Sequence, residues 1–268
     1  MKKILFSDID GTILEGHHAI SSKDQEAIHR LRKKGHYFAF CTGRNLQEAK
    51  AIAHLFEYDY MVLNNGAMIV DRDDHVLLRK QIKNKDAQEI LQYCLQRYPH
   101  LIYTFYDGYN TYEYISHHDT KVLKGDDFVK IDENFEDLLK QMKDDFDIFC
   151  AFHPDEKLEE ILDIQKYIDD HYEGIHGTLN KIYLDVTVDH CSKGTGLQTL
   201  SSMIDEDVET YCIGDSYNDI SMFETAMHPY TFHRVSDDIK KHTEKQVNYV
   251  YEVIEEMLEE NEWVGKIN

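Results

Sequence analysis

The chain has 268 residues, enough for one large domain or two moderate ones with a substantial core. A hydrophobic fraction of 42%, with only 3 prolines and 13 glycines, predicts a folded protein built mainly from regular elements. The formal net charge of -22 argues against nonspecific binding to nucleic acid or to an anionic membrane, because both need a basic surface.

Strands and helices alternate over the first 63 residues. The predicted elements are a strand at 4–8, a helix with a capping box at Ser22 and Gln25 that ends at Gly35, a strand at 37–41, a helix at about 45–56 and a strand at 60–63. This alternation is typical of a parallel sheet covered by helices.

The pattern changes near residue 67. AMIV and HVLL flank DRDD as a predicted hairpin, and the polar segment 79–86 is predicted to be a linker. A helix near 86–97, the strands IYTFY, TYEYI and DIFCAF, and a helix at 155–171 then predict an α+β unit. Aromatic residues favour strands, so we interpret its tyrosines as packing residues, with stacking on a substrate as the alternative: Tyr103, Tyr106, Tyr109, Tyr112 and Tyr114.

The strand and helix alternation returns at about residue 185. A helix is predicted to open near Ser192, a strand to cover 209–214, and a further helix to begin in NDISMFETA. The acidic C-terminal run carries Val253, Ile254, Met257 and Leu258 at helical spacing, which predicts an amphipathic closing helix. We therefore predict a core domain of residues 1–83 and 186–268, interrupted by an inserted domain of residues 84–185.

Polar residues cluster where the predicted strands of the core end. Asp8 and Asp10 follow the first strand, the run Thr42, Gly43, Arg44 follows the second, Asn64, Asn65 and Gly66 follow the third, and Gly214, Asp215, Asn218 and Asp219 follow the strand ETYCI. In an open parallel sheet, ligands bind beyond the carboxyl ends of the strands, near helix N-termini. The clusters are therefore predicted to form one site, with Lys193 at the start of a neighbouring helix.

Four aspartates that converge in this way need a cation. Two unit charges about 4 Å apart repel by about 4 kcal/mol at an effective dielectric constant near 20. Carboxylate oxygens without a histidine cluster favour a hard ion, and Mg2+ accepts few protein ligands while it keeps places for water and phosphate oxygen. The sequence thus predicts a Mg2+ site, with Lys193 as a second positive charge.

These segments, in their order along the chain, resemble the four motifs of the haloacid dehalogenase superfamily of phosphohydrolases. The motifs are FSDIDGTIL, the Thr42 of CTGR, the Lys193 of CSKG, and GDSYND. The long insertion and the sequence NNGA resemble the Cof-type branch, subfamily IIB. The resemblance covers essentially the whole chain and implies a Rossmann-like α/β core with an inserted α+β cap of the C2B type.

The resemblance also implies residue roles. Asp8 would attack phosphorus and form an aspartyl-phosphate, while Asp10 would protonate the leaving oxygen and then activate the hydrolytic water. The implied Mg2+ ligands are the Asp8 carboxylate, the Asp10 backbone carbonyl, Asp215, and Asp219 directly or through water. The implied phosphate-binding residues are Ile9, Thr42, Gly43, Lys193 and Asn218. The implied substrate is a small phosphorylated metabolite such as a sugar phosphate, and an aspartate at position 10 favours a phosphate ester over a haloacid.

Several alternatives stay open at this stage. Asp215 and Asp219 fit equally an acidic pair at a helix N-terminus, and Thr42 fits a simple helix cap. Arg44 fits either a substrate contact or a structural ion pair, and Asn65 fits either a turn residue or a substrate contact. We interpret His17, His18, His117 and His118 as surface residues rather than metal ligands.

Two departures from the Cof-type pattern bear on function. Residues 227–238 read MHPYTFHRVSDD where the branch carries Met-x-Asn-Ala, and the segment before Lys193 reads DHCSKG. Two rival functions are a phosphosugar mutase on the same core and a metabolite-sensing module without enzymatic activity.

The remaining signals concern the cellular compartment. Five scattered cysteines without a CxxC pair suggest reduced, mostly buried thiols. The apolar stretch at the N-terminus is too short for a signal peptide and no stretch is long enough for a membrane span, so we expect a cytoplasmic protein.

Overall fold

The computed structural model describes residues 1–15, 19–116, 119–124, 127–132 and 134–264. The histidines at positions 17, 18, 117 and 118 lie outside the described residues, so their predicted surface role stays a prediction.

The strands fall into two large sheets and a two-stranded one. In chain order they are β1 (Lys2–Ser7), β2 (Leu14–Glu15), β3 (Ala19–Ile20), β4 (Tyr37–Cys41), β5 (Tyr60–Leu63), β6 (Met68–Asp71), β7 (Val76–Arg79), β8 (Ile102–Tyr106), β9 (Thr111–Ser116), β10 (Asp119–Lys124), β11 (Asp127–Ile131), β12 (Ile148–Phe152), β13 (Ile175–Asn180), β14 (Tyr183–Val188), β15 (Val208–Ile213), β16 (His228–Phe232) and β17 (Lys245–Val247).

The helices lie between these strands. They are α1 (Ser22–Lys33), α2 (Leu46–Ala53), α3 (Asn84–Arg97), α4 (Phe135–Gln141), α5 (Glu159–His171), α6 (Lys193–Met203), α7 (Ile220–Thr225), α8 (Asp237–Lys240) and α9 (Val250–Val264). Two short 3-10 segments cover Asn64–Gly66 and Tyr217–Asp219.

The first large sheet has the order β17-β16-β15-β1-β4-β5-β6-β7. Its central strands are parallel, and β6 runs antiparallel to β5. The predicted α/β fold with a parallel sheet is therefore confirmed. Because β1 lies between β15 and β4, strands from the start and the end of the chain deliver their carboxyl ends to one edge of the sheet.

Helices cover both faces of this sheet, as the alternation of side chains along β1 shows. Ile4 and Phe6 belong to a buried cluster with residues of α6 and α7, such as Leu200 and Met222. Lys3 faces the opposite side, where its ammonium group donates to the carbonyl of Met257 in α9. On that side α9 packs against α1, and the predicted apolar stripe of the closing helix is buried: Val253, Ile254, Met257 and Leu258.

The second large sheet has the order β11-β10-β9-β8-β12-β14-β13, and its neighbours are antiparallel. Its own hydrophobic cluster joins alternate strand residues such as Phe149 and Leu184 to apolar faces of α3, α4 and α5. Tyr103 and Tyr114 are fully buried in this cluster and Tyr112 packs against it, so the packing interpretation holds for them. Tyr109, by contrast, is 71% exposed.

The chain divides into two compact units. The first comprises Met1–Gly43, Ile52–Leu78 and Ser192–Asn268, and the second comprises Arg44–Ala51 and Arg79–Cys191. The boundaries of the inserted domain predicted from the sequence lie between residues 83 and 84 and between residues 185 and 186. The short segment Arg44–Ala51 has no counterpart in that prediction.

Two local predictions are wrong. The capping residue of α1 is Ser21, whose hydroxyl accepts from the backbone N–H of Asp24, and the predicted cap Ser22 is instead the first helical residue. The segment 79–86 is not a linker: Ile82 is buried and pairs with Phe146, and Arg79 forms a two-bond ion pair with the buried Asp147.

The cysteines occur as free thiols, of which Cys41, Cys94, Cys191 and Cys212 are buried and Cys150 is half-buried. In the part of the chain described here, no helix combines the length and the apolar character needed to cross a bilayer.

Candidate active site at the carboxyl edge of the parallel sheet

The residues singled out by the sequence follow adjacent strands of the first sheet. Asp8 comes directly after β1, and its backbone N–H donates to the carbonyl of Ile213 at the end of β15 at 3.1 Å. Thr42 comes directly after β4 and bonds in the same way to Val62 of β5. Parallel pairing therefore fixes the positions of these two residues through main-chain hydrogen bonds.

Lys193 lies at the centre of the site. It is the first residue of α6, which begins with a capping box between Ser192 and Thr195. Its side chain is 1% exposed, and its ammonium group lies 2.6 Å from Asp8 Oδ1 and 2.6 Å from Asp219 Oδ1. A buried lysine needs such partners because an unpaired ammonium group is costly to remove from water. The structure thus brings together three predicted site residues from distant parts of the chain.

Burial and charge act in opposite directions on these groups. Burial raises the pKa of Asp8 well above its usual range; Lys193 opposes this shift, while Asp219 and Asp215 add to it. Burial by itself lowers the pKa of Lys193, but the carboxylates of Asp219 and Asp8 outweigh it and hold that pKa above its ordinary value. Lys193 therefore stays charged, and the carboxylate cluster around it is short of positive charge.

Asp219 uses its two oxygens for different purposes. Oδ1 accepts from Lys193, whereas Oδ2 accepts the backbone N–H groups of Asp215 and Ser216 at 2.9 Å each. These bonds shape the loop after β15 into the 3-10 turn that carries Asn218. The predicted role of Asp219 as part of an acidic pair at a helix start and its place beside Lys193 are therefore compatible.

A chain of hydrogen bonds connects this loop with the loops after β5 and β4. Ser216 Oγ donates to Asn218 Oδ1 at 2.8 Å, and Asn218 Nδ2 donates to Asn65 Oδ1 at 3.3 Å. The backbone N–H of Asn65 in turn donates to the carbonyl of Thr42 at 3.1 Å. All four motif segments are thus joined in one network that runs from Thr42 through Asn65, Asn218 and Asp219 to Lys193 and Asp8.

The loop after β5 has an unusual backbone. Asn64, Asn65 and Gly66 have φ values of 51°, 48° and 92°, so three successive residues occupy the left-handed region. Non-glycine residues there are uncommon, and such conformations concentrate at functional sites. Both asparagines are buried, and a Cβ at Gly66 would lie 2.2 Å from the carbonyl oxygen of Ser192, the cap of the Lys193 helix.

The turn after Asp8 lies against Asp215. Gly11 has φ +83°, and a Cβ at this position would lie 2.5 Å from Asp215 Oδ2. The Thr12 hydroxyl donates to Asp215 Oδ1 at 3.3 Å. Asp10 is exposed at the start of this turn, whereas Ile9 before it is fully buried. An exposed carboxyl group can exchange protons with solvent and substrate, as a general acid or base must.

The segment after Thr42 decides whether Thr42 is a helix cap, one of the alternatives left open above. Thr42 does not cap α2; Asn45 does, since its Oδ1 accepts from the backbone N–H of Glu48 at 3.0 Å. Gly43 is half-buried between them. Arg44 donates to the carbonyl of Glu48 and belongs, with the first six residues of α2, to the second compact unit. Sequence reasoning missed Asn45, Thr12 and Ser216, although Asn45 and Glu48 show the spacing of a capping box.

The donor set of the site suits a hard divalent cation. Asp8, Asp215 and Asp219 each offer a carboxylate oxygen, and these oxygens lie within 4.8 Å of one another. When all three carboxylates are ionised, they and the Lys193 ammonium group carry a net charge of -2, which a divalent ion neutralises. Oxygen ligands without nitrogen or sulfur favour Mg2+ over transition metals.

A second cluster also brings possible ligand atoms close together, but one of its histidines cannot bind a metal ion. His100, His153 and Glu160 place ring nitrogens and a carboxylate oxygen close together. However, Nδ1 of His153 accepts the backbone N–H of Asp155 at 2.9 Å, so the neutral ring carries its proton on Nε2 and offers no lone pair there. His153 is therefore not suited to be a metal ligand; its Nε2 lies 3.7 Å from Glu160 Oε2, whereas His100 Nε2 lies 2.7 Å from the same oxygen.

Most of the chain matches proteins whose family is known. A family model described as haloacid dehalogenase-like hydrolase matches residues 5–254. A protein of Buchnera aphidicola subsp. Baizongia pistaciae that carries a phosphatase name is 28% identical over 84% of this chain and 84% of its own length. The 5-amino-6-(5-phospho-D-ribitylamino)uracil phosphatase YwtE of Bacillus subtilis is 25% identical over 89% of this chain and 90% of its own.

Solved structures show the same fold. A haloacid dehalogenase-like hydrolase from B. subtilis superposes with a TM-score of 0.76 at 19% identity, over 94% of this chain and 99% of that one. A sugar phosphatase of HAD subclass IIB superposes with a TM-score of 0.71 at 19% identity, over 96% of this chain and 99% of that one.

Proposed function

The chain belongs to the haloacid dehalogenase-like hydrolase family, within which it is a phosphatase, and from this premise we propose that it hydrolyses small phosphate monoesters with the help of Mg2+ through an aspartyl-phosphate on Asp8. The resemblance of its motifs to this family and to the Cof-type branch is confirmed. The observation that carries the proposal is the buried Lys193 between Asp8 and Asp219, beside Asp215.

The proposed reaction has two steps. In the first, a carboxylate oxygen of Asp8 attacks phosphorus in line, the bond from phosphorus to the ester oxygen breaks, and Asp10 gives its proton to that oxygen. In the second, Asp10 takes a proton from a water that attacks phosphorus, and the bond to Asp8 breaks. The products are an alcohol and inorganic phosphate, and both aspartates return to their starting states.

The other site residues would hold the phosphoryl group during both steps. Lys193 is preorganised beside Asp8 and would neutralise charge on the phosphoryl oxygens. The Thr42 hydroxyl, the backbone of Ile9 and Gly43, and Asn218 would donate hydrogen bonds to the same oxygens. Mg2+ held by Asp8, Asp215, the Asp10 carbonyl and Asp219, directly or through water, would supply further positive charge.

Two finer assignments complete the proposal. We propose that residues 84–185 act as a cap that selects the substrate, and that this substrate is a sugar phosphate or a metabolite of similar size. Arg44 and Asn65 are proposed as substrate contacts.

The decisive experiment is a panel of sugar, nucleotide and cofactor phosphates assayed for free phosphate with Mg2+ and with a chelator. We expect release with Mg2+ and none with chelator, and a loss of at least about a thousandfold for Asp8→Asn. Asp73→Asn is the matched control, because Asp73 is an exposed aspartate of the hairpin between β6 and β7. Equal rates for the parent and Asp8→Asn would exclude Asp8 as the nucleophile.

A trapping experiment tests the covalent intermediate directly. Acid quench during turnover, followed by borohydride reduction, should convert Asp8 to homoserine, which mass spectrometry locates in the N-terminal peptide. Isomerised sugar phosphate without free phosphate would support the mutase instead. A ligand-induced shift in melting temperature without any turnover would support the sensing module.

A further inference from the structure

Arg234 lies in the turn after β16, in the segment where the chain departs from the Cof-type pattern. One terminal nitrogen, Nη2, donates to the carbonyl oxygen of Gly11 at 2.5 Å, and the other, Nη1, donates to the carbonyl oxygen of Asn248 at 3.3 Å. The carbon of its guanidinium group stands 3.6 Å from the centre of the Phe232 ring. Phe232 is fully buried in the core, so this ring is a fixed support for the arginine.

Gly11 is the residue directly after the proposed acid and base, Asp10. Its backbone N–H donates to the carbonyl of Leu14 at 3.1 Å, and the N–H groups of Thr12 and Leu14 both donate to the carbonyl of Ile9. On its other side the Gly11 Cα faces the carboxylate of Asp215, so closely that a Cβ has no room. The turn from Asp10 to Thr12 therefore lies between Asp215 and the guanidinium group of Arg234.

We propose that Arg234 is a positioning residue that fixes the turn from Asp10 to Thr12 and thereby holds the Asp10 carboxyl group in place for proton transfer. This role rests on the proposed phosphatase function. Arg234 acts through the Gly11 carbonyl and not through contact with the substrate.

The geometry explains why arginine suits this role. A guanidinium group is planar, donates from both terminal nitrogens in a fixed fork and stacks on an aromatic face. Here the fork joins two carbonyls that lie far apart in the sequence, while the ring of Phe232 sets the plane. A lysine has a single ammonium group on a flexible stem and offers no flat face to stack on the Phe232 ring.

The test combines kinetics with chemical rescue. Displacement of a catalytic group by about 1 Å can cost about a hundredfold in rate. For Arg234→Ala we therefore expect kcat to fall between about tenfold and a hundredfold while KM stays within about threefold, and Arg234→Lys to recover little. Guanidinium ion at millimolar concentration should restore part of kcat to Arg234→Ala. Guanidinium ion should not change the kcat of Arg72→Ala, the matched variant at another exposed arginine.

Hydrogen exchange provides a readout that does not depend on turnover. We expect peptides that contain the amides of Gly11, Thr12 and Leu14 to exchange faster in Arg234→Ala than in the parent and in Arg72→Ala. A rise in KM at constant kcat would overturn the proposal in favour of a substrate contact, and unchanged exchange in this turn would overturn it as well. If the parent hydrolyses no phosphate ester, the proposed function fails, whereas the exchange data still decide whether Arg234 fixes the turn.

Discussion

Lys193 shows at the level of a single residue how the site depends on charge balance. Its ammonium group is buried, and the two carboxylates at 2.6 Å are what make that burial tolerable. The arrangement also holds Asp8 and Asp219 close together despite their repulsion. The lysine is thus a structural part of the carboxylate cluster as well as a proposed phosphate ligand.

Lys193→Met should therefore destabilise the protein strongly when no divalent ion is present. Removal of one partner from a buried ion pair typically costs about 3–5 kcal/mol. Chemical denaturation with and without Mg2+ measures the effect, and Mg2+ should recover part of the loss because it supplies the missing positive charge. Lys85→Met, at a lysine whose side chain is 83% exposed, should change the unfolding free energy little in either buffer. Equal losses of unfolding free energy for Lys193→Met and Lys85→Met would contradict a structural role of Lys193.

Gly11→Ala should affect the site through a clash in addition to backbone strain. The added methyl carbon would lie 2.5 Å from Asp215 Oδ2, so either the turn or the proposed metal ligand must move. Gly174→Ala is an informative control, because Gly174 has a similar φ of +86° but open space around its Cβ position. Both variants should lose about 1–2 kcal/mol from the left-handed backbone. Only Gly11→Ala should weaken Mg2+ binding, measured by calorimetric titration.

Some site residues could not be found from sequence. Others were open to prediction, because Asp8, Thr42 and Asp215 lie at the ends of predicted strands or within two residues after them, and Lys193 lies at a predicted helix start. Arg234 and its carbonyl acceptor on Gly11 are 223 positions apart in the chain, and nothing in the local sequence of either one indicates the contact.

At the scale of elements, helix α6 links the returning chain to the site. Its first residue is Lys193, and its capping box satisfies two of the N–H groups that a helix start leaves without partners. The carbonyl of its cap, Ser192, lies against Gly66 of the left-handed loop after β5. The position of the lysine is therefore set by the start of the helix as a whole.

Ser192→Ala should cost about 1 kcal/mol of stability, the usual effect of losing a capping side chain. It should also lower kcat, because Lys193 follows the cap directly. Ser236→Ala is the matched control: Ser236 precedes α8 as its N-cap residue, yet its side chain makes no capping hydrogen bond. Urea denaturation of both variants gives the comparison, and a Ser236→Ala loss as large as that of Ser192→Ala would contradict the capping argument.

Element predictions succeeded where the pattern is local and failed where pairing is distant. The apolar runs of β1, β4, β5 and β15 and the aromatic runs of β8, β9 and β12 were recognised as strands. The sequence did not predict strands β10, β11, β13 and β14. Strand β11 is largely exposed, and β14 pairs with β12, from which α5 separates it in the chain. Neighbouring serines explain the error at α1, because only backbone geometry decides whether Ser21 or Ser22 is the cap.

At the scale of the molecule, each compact unit has a hydrophobic cluster of its own. Leu200 of α6 is fully buried in the first unit, and Leu184 of β14 is fully buried in the second. The proposed Mg2+ ligands all belong to the first unit. Chains with separate cores commonly unfold in more than one step.

We therefore expect calorimetry to resolve two transitions. Leu200→Ala and Leu184→Ala should each lose about 2–5 kcal/mol, each in a different transition. Mg2+ should raise only the transition that Leu200→Ala lowers, because a ligand stabilises the unit that binds it. A single transition that both variants and Mg2+ shift together would show that the units unfold as one.

The central position of β1 has a consequence for biosynthesis. Its partner on one side, β15, starts at Val208 after the insertion, whereas its partner on the other side, β4, starts at Tyr37. On a ribosome that adds roughly 5–20 residues per second, the nascent strand waits on the order of 10–40 s for that partner. An open, apolar strand edge invites pairing with other chains during this interval. Asp8 thus leaves the exit tunnel well before Lys193, which follows it by 185 positions, and before Asp215 and Asp219.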